Sequence, residues 1–171
     1  MPKQTDLDRT YLQMAELWGK LSKAERKKVG CLIVKNGQII SDGYNGTPAG
    51  YDNTCEVENK EFHPRAKNKL ETKPEVLHAE SNALMKLAKS TNSSDGSTVY
   101  LTMSPCFECS KLIIQAGVER LVYSEKYRNE SGVNFLNENN IETCFSPLKP
   151  EVPAKPIEIL ERKPKHPAWL V

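Results

Sequence analysis

Charge of one sign, aromatic residues and long apolar runs are all scarce in this chain. Its 24 Lys and Arg are nearly matched by 22 Asp and Glu, leaving a formal net charge of +2 over 171 residues. Wrapping a nucleic-acid backbone needs a strong positive field, so this balance argues against a nucleic-acid partner, while a small anionic ligand stays compatible with it. Aromatics make up only 7% of the residues, too few to advertise a stacking platform for single strands. Residues 1–10 are polar with no apolar leader, and the cleanest aliphatic run, residues 31–34, is far too short to cross a bilayer. A soluble, cytoplasmic protein with no membrane partner is expected. Five cysteines is an odd count. The pair Cys106-x-x-Cys109 reads as metal or redox chemistry in a reducing compartment more than as a disulfide scaffold.

What is present is a regular change of hydrophobic period. Residues 7–21 place Leu7, Tyr11, Met14, Leu17, Trp18 and Leu21 at helical spacing, predicting an amphipathic helix with that stripe in the core. Residues 29–34 read as a strand, Asn36-Gly37 as a two-residue turn and residues 38–41 as its return, which makes a hairpin. Cys31 and Cys144 are expected to fill core space in their strands. Between residues 43 and 74 the period fails among Gly, Pro, Asn and charges, as in a long functional loop. Helix and strand then alternate: helices over 78–88, 106–116 and 133–138, strands over 98–102, 120–123 and 141–144. Such alternation predicts an α/β fold with a sheet sandwiched between helices. At 38% hydrophobic the chain can fill one core. We expect one domain over residues 1–146, with a loop insertion over 47–77. A proline-rich tail follows over 147–171, where Pro147, Pro150, Pro153, Pro156, Pro164 and Pro167 forbid continuous helix.

Two motifs carry chemistry. His78-Ala79-Glu80 opens one expected helix and Pro105-Cys106-Phe107-Glu108-Cys109 the next, and the 27 residues between His78 and Cys106 suffice for a helix, a turn and a returning strand. Both helix starts can then meet at one edge of the sheet. A catalytic zinc takes three ligands such as one imidazole and two thiolates and leaves the fourth position to water, whose pKa falls from about 15.7 towards ~7. Helix N-termini favour thiolate, and Ser104 as N-cap with Pro105 as first helical residue would start the second helix. Glu80, about 200° round the helix from His78, faces away from a shared ligand position. It suits a proton shuttle over the open position.

Simpler assignments exist for each residue. The two cysteines could be a redox pair or half of a structural zinc site, but neither needs His78-x-Glu80. His78 could be an ordinary core histidine, a reading the cysteine motif weakens. Cys55 and His63 could join a second metal, though their spacing fits no strong template. Lys23, Arg26, Lys27 and Lys28 could be a solvated helix end, yet Arg26 stands just before the first strand, where it could hold a phosphate.

His-x-Glu followed by Pro-Cys-x-x-Cys is the signature of zinc nucleobase deaminases, and the chain resembles the deoxycytidylate deaminases, bacteriophage members included. The resemblance spans about residues 7–146. It is carried by Val29-Gly30, Gly43-Tyr44-Asn45-Gly46, His78-Ala79-Glu80-Ser81-Asn82-Ala83 and the run from Ser104-Pro105-Cys106 to Ala116-Gly117. It implies a three-layer, cytidine-deaminase-like fold with a mixed sheet of about five strands. It also implies conversion of dCMP and water to dUMP and ammonia, feeding thymidylate synthesis. Zn²⁺ would be held by His78, Cys106 and Cys109, with Glu80 as general acid/base. Asn45 would lie near the sugar, Ser22-x-x-x-Arg26 at the monophosphate, and Ala79, Ser104 and Tyr127 at the substrate. The resemblance further implies a hexamer activated by dCTP and inhibited by dTTP. Gly43, Tyr44, Asn45 and Gly46, with Asn68 and Lys69, would form the effector segment, and a triphosphate there could bring Mg²⁺. Deaminases of free nucleosides, guanine, riboflavin precursors or tRNA adenosine share the metal chemistry, but Gly43-Tyr44-Asn45-Gly46 and Arg26 favour a nucleotide. A non-catalytic zinc module would have no use for Glu80.

Overall fold

Asn36 and Gly37 both take left-handed backbone, at φ 51° and 74°. Two such residues in succession are what a type I′ hairpin turn demands. They join β1 (Gly30–Lys35) to β2 (Gln38–Tyr44) in the expected antiparallel pair, from Gly30 opposite Tyr44 to Lys35 opposite Gln38. The computed structural model describes residues 2–58 and 70–148. Within them, α1 (Gln4–Gly19) precedes the hairpin, and a second pair, β3 (Glu56–Glu58) and β4 (Leu70–Thr72), lies where the sequence predicted only loop. Three residues per strand give periodicity too little length to register. Then come α2 (Ala79–Leu87), β5 (Thr98–Leu101), α3 (Phe107–Gln115), β6 (Arg120–Tyr123), α4 (Ser131–Glu138) and β7 (Glu142–Phe145). The second metal considered for Cys55 and His63 and the effector residues Asn68 and Lys69 involve positions outside the described residues, as does most of the proline-rich tail.

The main sheet has the order β2-β1-β5-β6-β7, antiparallel on both sides of β1 and parallel from β5 to β7. Side chains alternate across it. Cys31, Ile33, Val99, Leu101 and Leu121 face α2, α3 and α4, whereas Leu32, Val34, Tyr100 and Val122 face α1. This is the predicted three-layer, mixed five-stranded α/β fold. Cys31 is fully buried, and Cys144 packs against the cluster on the α1 side. Among the described residues no helix is long and apolar enough to cross a membrane.

The stripe predicted for α1 is rotated. Leu12, Ala15, Gly19 and Asp8 are its buried residues, while Met14, Leu17, Trp18 and Leu21 are exposed. Small residues win the inner face because α1 crosses close to β1: a Cβ on Gly30 would meet the Ala15 carbonyl oxygen at 1.8 Å. Asp8 is drawn inward by Arg120, whose Nη1 and Nη2 donate to its two oxygens at 2.8 Å each, and by the Tyr100 hydroxyl at 2.8 Å.

Candidate active site

β2 and β5 are both antiparallel to β1, so they run in the same direction and their C-terminal ends share one edge of the sheet. Two backbone hydrogen bonds between Gly46 and Leu77, of 3.1 and 2.9 Å, bring the chain back to the end of β2 and set His78 there. From the end of β5 the chain runs through Met103, Ser104 and Pro105 to Cys106. His78 and Cys106 are themselves the N-caps of α2 and α3. Ser104 is therefore not the N-cap that the sequence suggested. Its backbone N–H donates to the Glu125 carbonyl at 2.8 Å, and its hydroxyl accepts from the Tyr127 N–H at 2.7 Å, which ties the loops after β5 and β6 together.

The two helix starts bring three ligand atoms to one point. Nδ1 of His78 lies 3.5 Å from Sγ of Cys106 and 3.4 Å from Sγ of Cys109. Zn–N and Zn–S bonds of about 2.05 and 2.3 Å at a tetrahedral angle would put nitrogen and sulfur roughly 3.6 Å apart, so the spacing of these three residues fits a zinc ion that they would hold. Among the described residues no other such group of His, Cys and carboxylates forms. Hydrogen bonds with the Cys109 thiol and the His78 ring pull the Cys106 thiol down to about 3. Cys109, which donates to Cys106 and is buried near Glu80, is pushed up. One thiolate thus stands ready and the second proton leaves when a metal binds.

Glu80 is 4% exposed, and burial pushes its carboxyl upward against the pull of its backbone N–H and of His78. A buried carboxyl whose proton is held more tightly than usual, next to a metal-ligand set, is placed to take up and hand on a proton.

A cleft of about 240 Å³ opens over this group. Arg26, Asn45, Ala79, Ser104 and Tyr127, the substrate residues expected from the sequence, all line it together with His78, Glu80 and Cys106. Asn45 does more than line it. Its Oδ1 accepts the Val29 N–H and its Nδ2 donates to the Lys27 carbonyl, each at 2.8 Å, while its own carbonyl accepts from Ser22 Oγ at 2.6 Å. It fastens the segment between α1 and β1 to the end of β2. Lys27, Val29, Glu56, Thr72, Val76 and Met103 also line the cleft. No local sequence signal marked Glu56 or Thr72, because both lie where periodicity is lost.

The remaining residues of the Gly43-Tyr44-Asn45-Gly46 run pack behind the cleft. A Cβ on Gly43 would meet the Ala79 carbonyl oxygen at 2.3 Å and the Ala83 nitrogen at 2.6 Å, so glycine lets α2 lie against β2. The Tyr44 carbonyl accepts from Asn82 Nδ2 at 2.8 Å, and Gly46 forms the bridge to Leu77.

The family described as "Cytidine and deoxycytidylate deaminase zinc-binding region" matches residues 5–125. Deoxycytidylate deaminase of Enterobacteria phage T4 is 38% identical over 174 residues, which cover 82% of this chain and 90% of that protein. Human deoxycytidylate deaminase is 38% identical over 122 residues, 70% of this chain and 65% of the human one. The crystal structure of dCMP deaminase from the cyanophage S-TIM5 in complex with dCMP and dUMP is similar at a TM-score of 0.76 and 41% identity, covering 85% of this chain and all (100%) of that chain.

Proposed function

The chain belongs to the cytidine and deoxycytidylate deaminases through their zinc-binding region, and we propose that it hydrolyses the 4-amino group of dCMP to give dUMP and ammonia. The observation that carries this reading is the convergence of His78, Cys106 and Cys109 at zinc-tetrahedron spacing beside the buried Glu80. The complex of the cyanophage relative with dCMP and dUMP supports the choice of nucleotide.

Bound by those three residues, a zinc ion would supply the Lewis acidity that makes water a nucleophile near neutral pH. Glu80 takes the proton that water loses on attacking C4 and delivers it to ring N3. It then takes the second proton and passes it to the departing amino group, so that ammonia leaves and the C4 carbonyl forms. Its burial keeps bulk water from exchanging those protons. Arg26 carries a fixed positive charge in the same cleft and is the residue proposed to hold the 5′-phosphate. Ala79, Ser104 and Tyr127 border the substrate, and Asn45 shapes the wall beside the sugar.

The product dUMP would feed thymidylate synthesis in the cytoplasm. The exposed Met14, Leu17, Trp18 and Leu21 offer apolar surface for the self-association that a hexamer needs. Activation by dCTP, with Mg²⁺ on the triphosphate, and inhibition by dTTP would act through Gly43, Tyr44, Asn45, Gly46, Asn68 and Lys69. Of these, Gly43 abuts α2 directly.

The test is Glu80→Gln, which keeps the shape and removes the titrating group. Zinc content and melting temperature should stay at the wild-type level while dCMP turnover falls by about 10²–10⁴-fold. Turnover within tenfold of wild type would end the shuttle role.

A further inference from the structure

Two side chains on one rung of the small β3–β4 sheet hold the same arginine. Glu56 and Thr72 are directly paired in that sheet, so their side chains leave it on the same face. Glu56 is 8% exposed. Its Oε2 accepts the Glu25 N–H at 3.1 Å and its Oε1 the Arg26 N–H at 3.3 Å. Opposite it, Thr72 Oγ1 accepts from Nη1 of Arg26 at 3.0 Å. Glu56 fixes the backbone of Arg26 and Thr72 its guanidinium, and all three line the cleft that holds His78 and Glu80.

Arg26 lies in a bend between α1 and β1, outside any regular element and exposed. A long side chain on such a bend samples many rotamers, and ordering it on binding costs affinity. A buried carboxylate that receives two successive backbone N–H groups is a charge-assisted anchor for the bend. Thr72 engages one of the five guanidinium N–H donors, which leaves others to meet an oxyanion.

We infer that Glu56 and Thr72 are positioning residues that preset Arg26 for the 5′-phosphate, so that the β3–β4 pair, through Arg26, sets the preference for a nucleotide over a free nucleoside. This rests on the reading of the cleft as a dCMP site.

The experiment compares wild type, Glu56→Gln, Thr72→Val, Thr72→Ser, Arg26→Ala and the double variant Glu56→Gln/Arg26→Ala, all zinc-loaded, with dCMP and deoxycytidine as substrates. Glu56→Gln replaces one acceptor oxygen by a donor facing a donor, and Thr72→Val removes the acceptor at similar size. Each should raise the KM for dCMP about tenfold with kcat within about threefold, and lower the dCMP-over-deoxycytidine selectivity to match. Thr72→Ser, which keeps the hydroxyl, should restore the wild-type KM. In the Arg26→Ala background Glu56→Gln should add less than twofold, because its effect passes through the missing guanidinium. Should Glu56→Gln fail to fold, the Thr72 series decides alone. An unchanged KM in Thr72→Val, equal losses on both substrates, or an additive effect without Arg26 would overturn the positioning role while leaving dCMP deamination standing. A wild-type protein that does not turn over dCMP would remove both, and that is seen before any variant is assayed.

Discussion

Glu80 and His78 are two residues apart and take different tasks because a helix begins between them. His78 is the N-cap with extended backbone, whereas Glu80 lies within the first turn, where its carboxyl becomes buried beside the ligand set. A similar division of labour holds at Asn45, whose amide has both polar ends engaged with the backbone of residues 27 and 29. Replacing Asn45 by Ala leaves a backbone donor and an acceptor without that partner. It should cost about 1–3 kcal/mol in denaturant unfolding and raise the KM for dCMP as the Arg26 segment loosens; unchanged stability would mean that water replaces the amide at no cost. At this scale much was legible in the sequence. His78, Glu80, Cys106 and Cys109 announce themselves because metal chemistry restricts residue type and spacing together. Glu56 and Thr72 do not, since their partners Glu25 and Arg26 are 30 and more positions away in sequence and a carboxylate among charged loop residues looks like solvated surface.

Elements are positioned by contacts in which an added carbon does not fit. A Cβ on Gly132 of α4 would sit 2.2 Å from the Pro105 carbonyl oxygen and 2.9 Å from the Cys106 carbonyl carbon. Gly132→Ala should therefore cost about 1–3 kcal/mol by overpacking and, because the displaced atoms lead into the Cys106 ligand, weaken zinc binding as well. Competition with a chelating dye measures the second effect, and wild-type affinity would show that α4 yields instead of Cys106. The element order and the turn at Asn36-Gly37 were readable because period, length and turn chemistry all agree there. The face of α1 was not. Periodicity weighs apolar residues alone, and it placed Met14, Leu17, Trp18 and Leu21 inside. The fold instead inserts Leu12, Ala15 and Gly19 against β1, with Asp8 bonded to a residue 112 positions away. Helix–sheet distance and a long-range ion pair outweigh the larger stripe, and neither is written in the helix itself.

Over the whole molecule, Asp8 and Arg120 join α1 to β6 across the sheet. Burial alone would raise the Asp8 carboxyl, but hydrogen bonds from Arg120, Gln4 and Tyr100 outweigh it and hold the group below its usual value. Its contribution to stability is present above the unfolded carboxylate pKa of about 3.9 and is lost as pH falls through the lower folded value. Asp8→Asn should accordingly be less stable at neutral pH and lose less stability than wild type as pH falls through and below the unfolded carboxylate pKa of about 3.9; parallel pH profiles would contradict that coupling. The sheet so joined holds the ends of β2 and β5 at one edge, and everything proposed about chemistry depends on what that edge binds. The direct measurement is dUMP and ammonia release from dCMP by the zinc-loaded protein, with deoxycytidine and a cytosine-containing single strand as parallel substrates and a chelator-stripped sample as control. Turnover of dCMP far above the other two, loss on stripping and recovery on adding zinc back are expected. Turnover confined to another substrate, or dCMP turnover that survives removal of the metal, would contradict it.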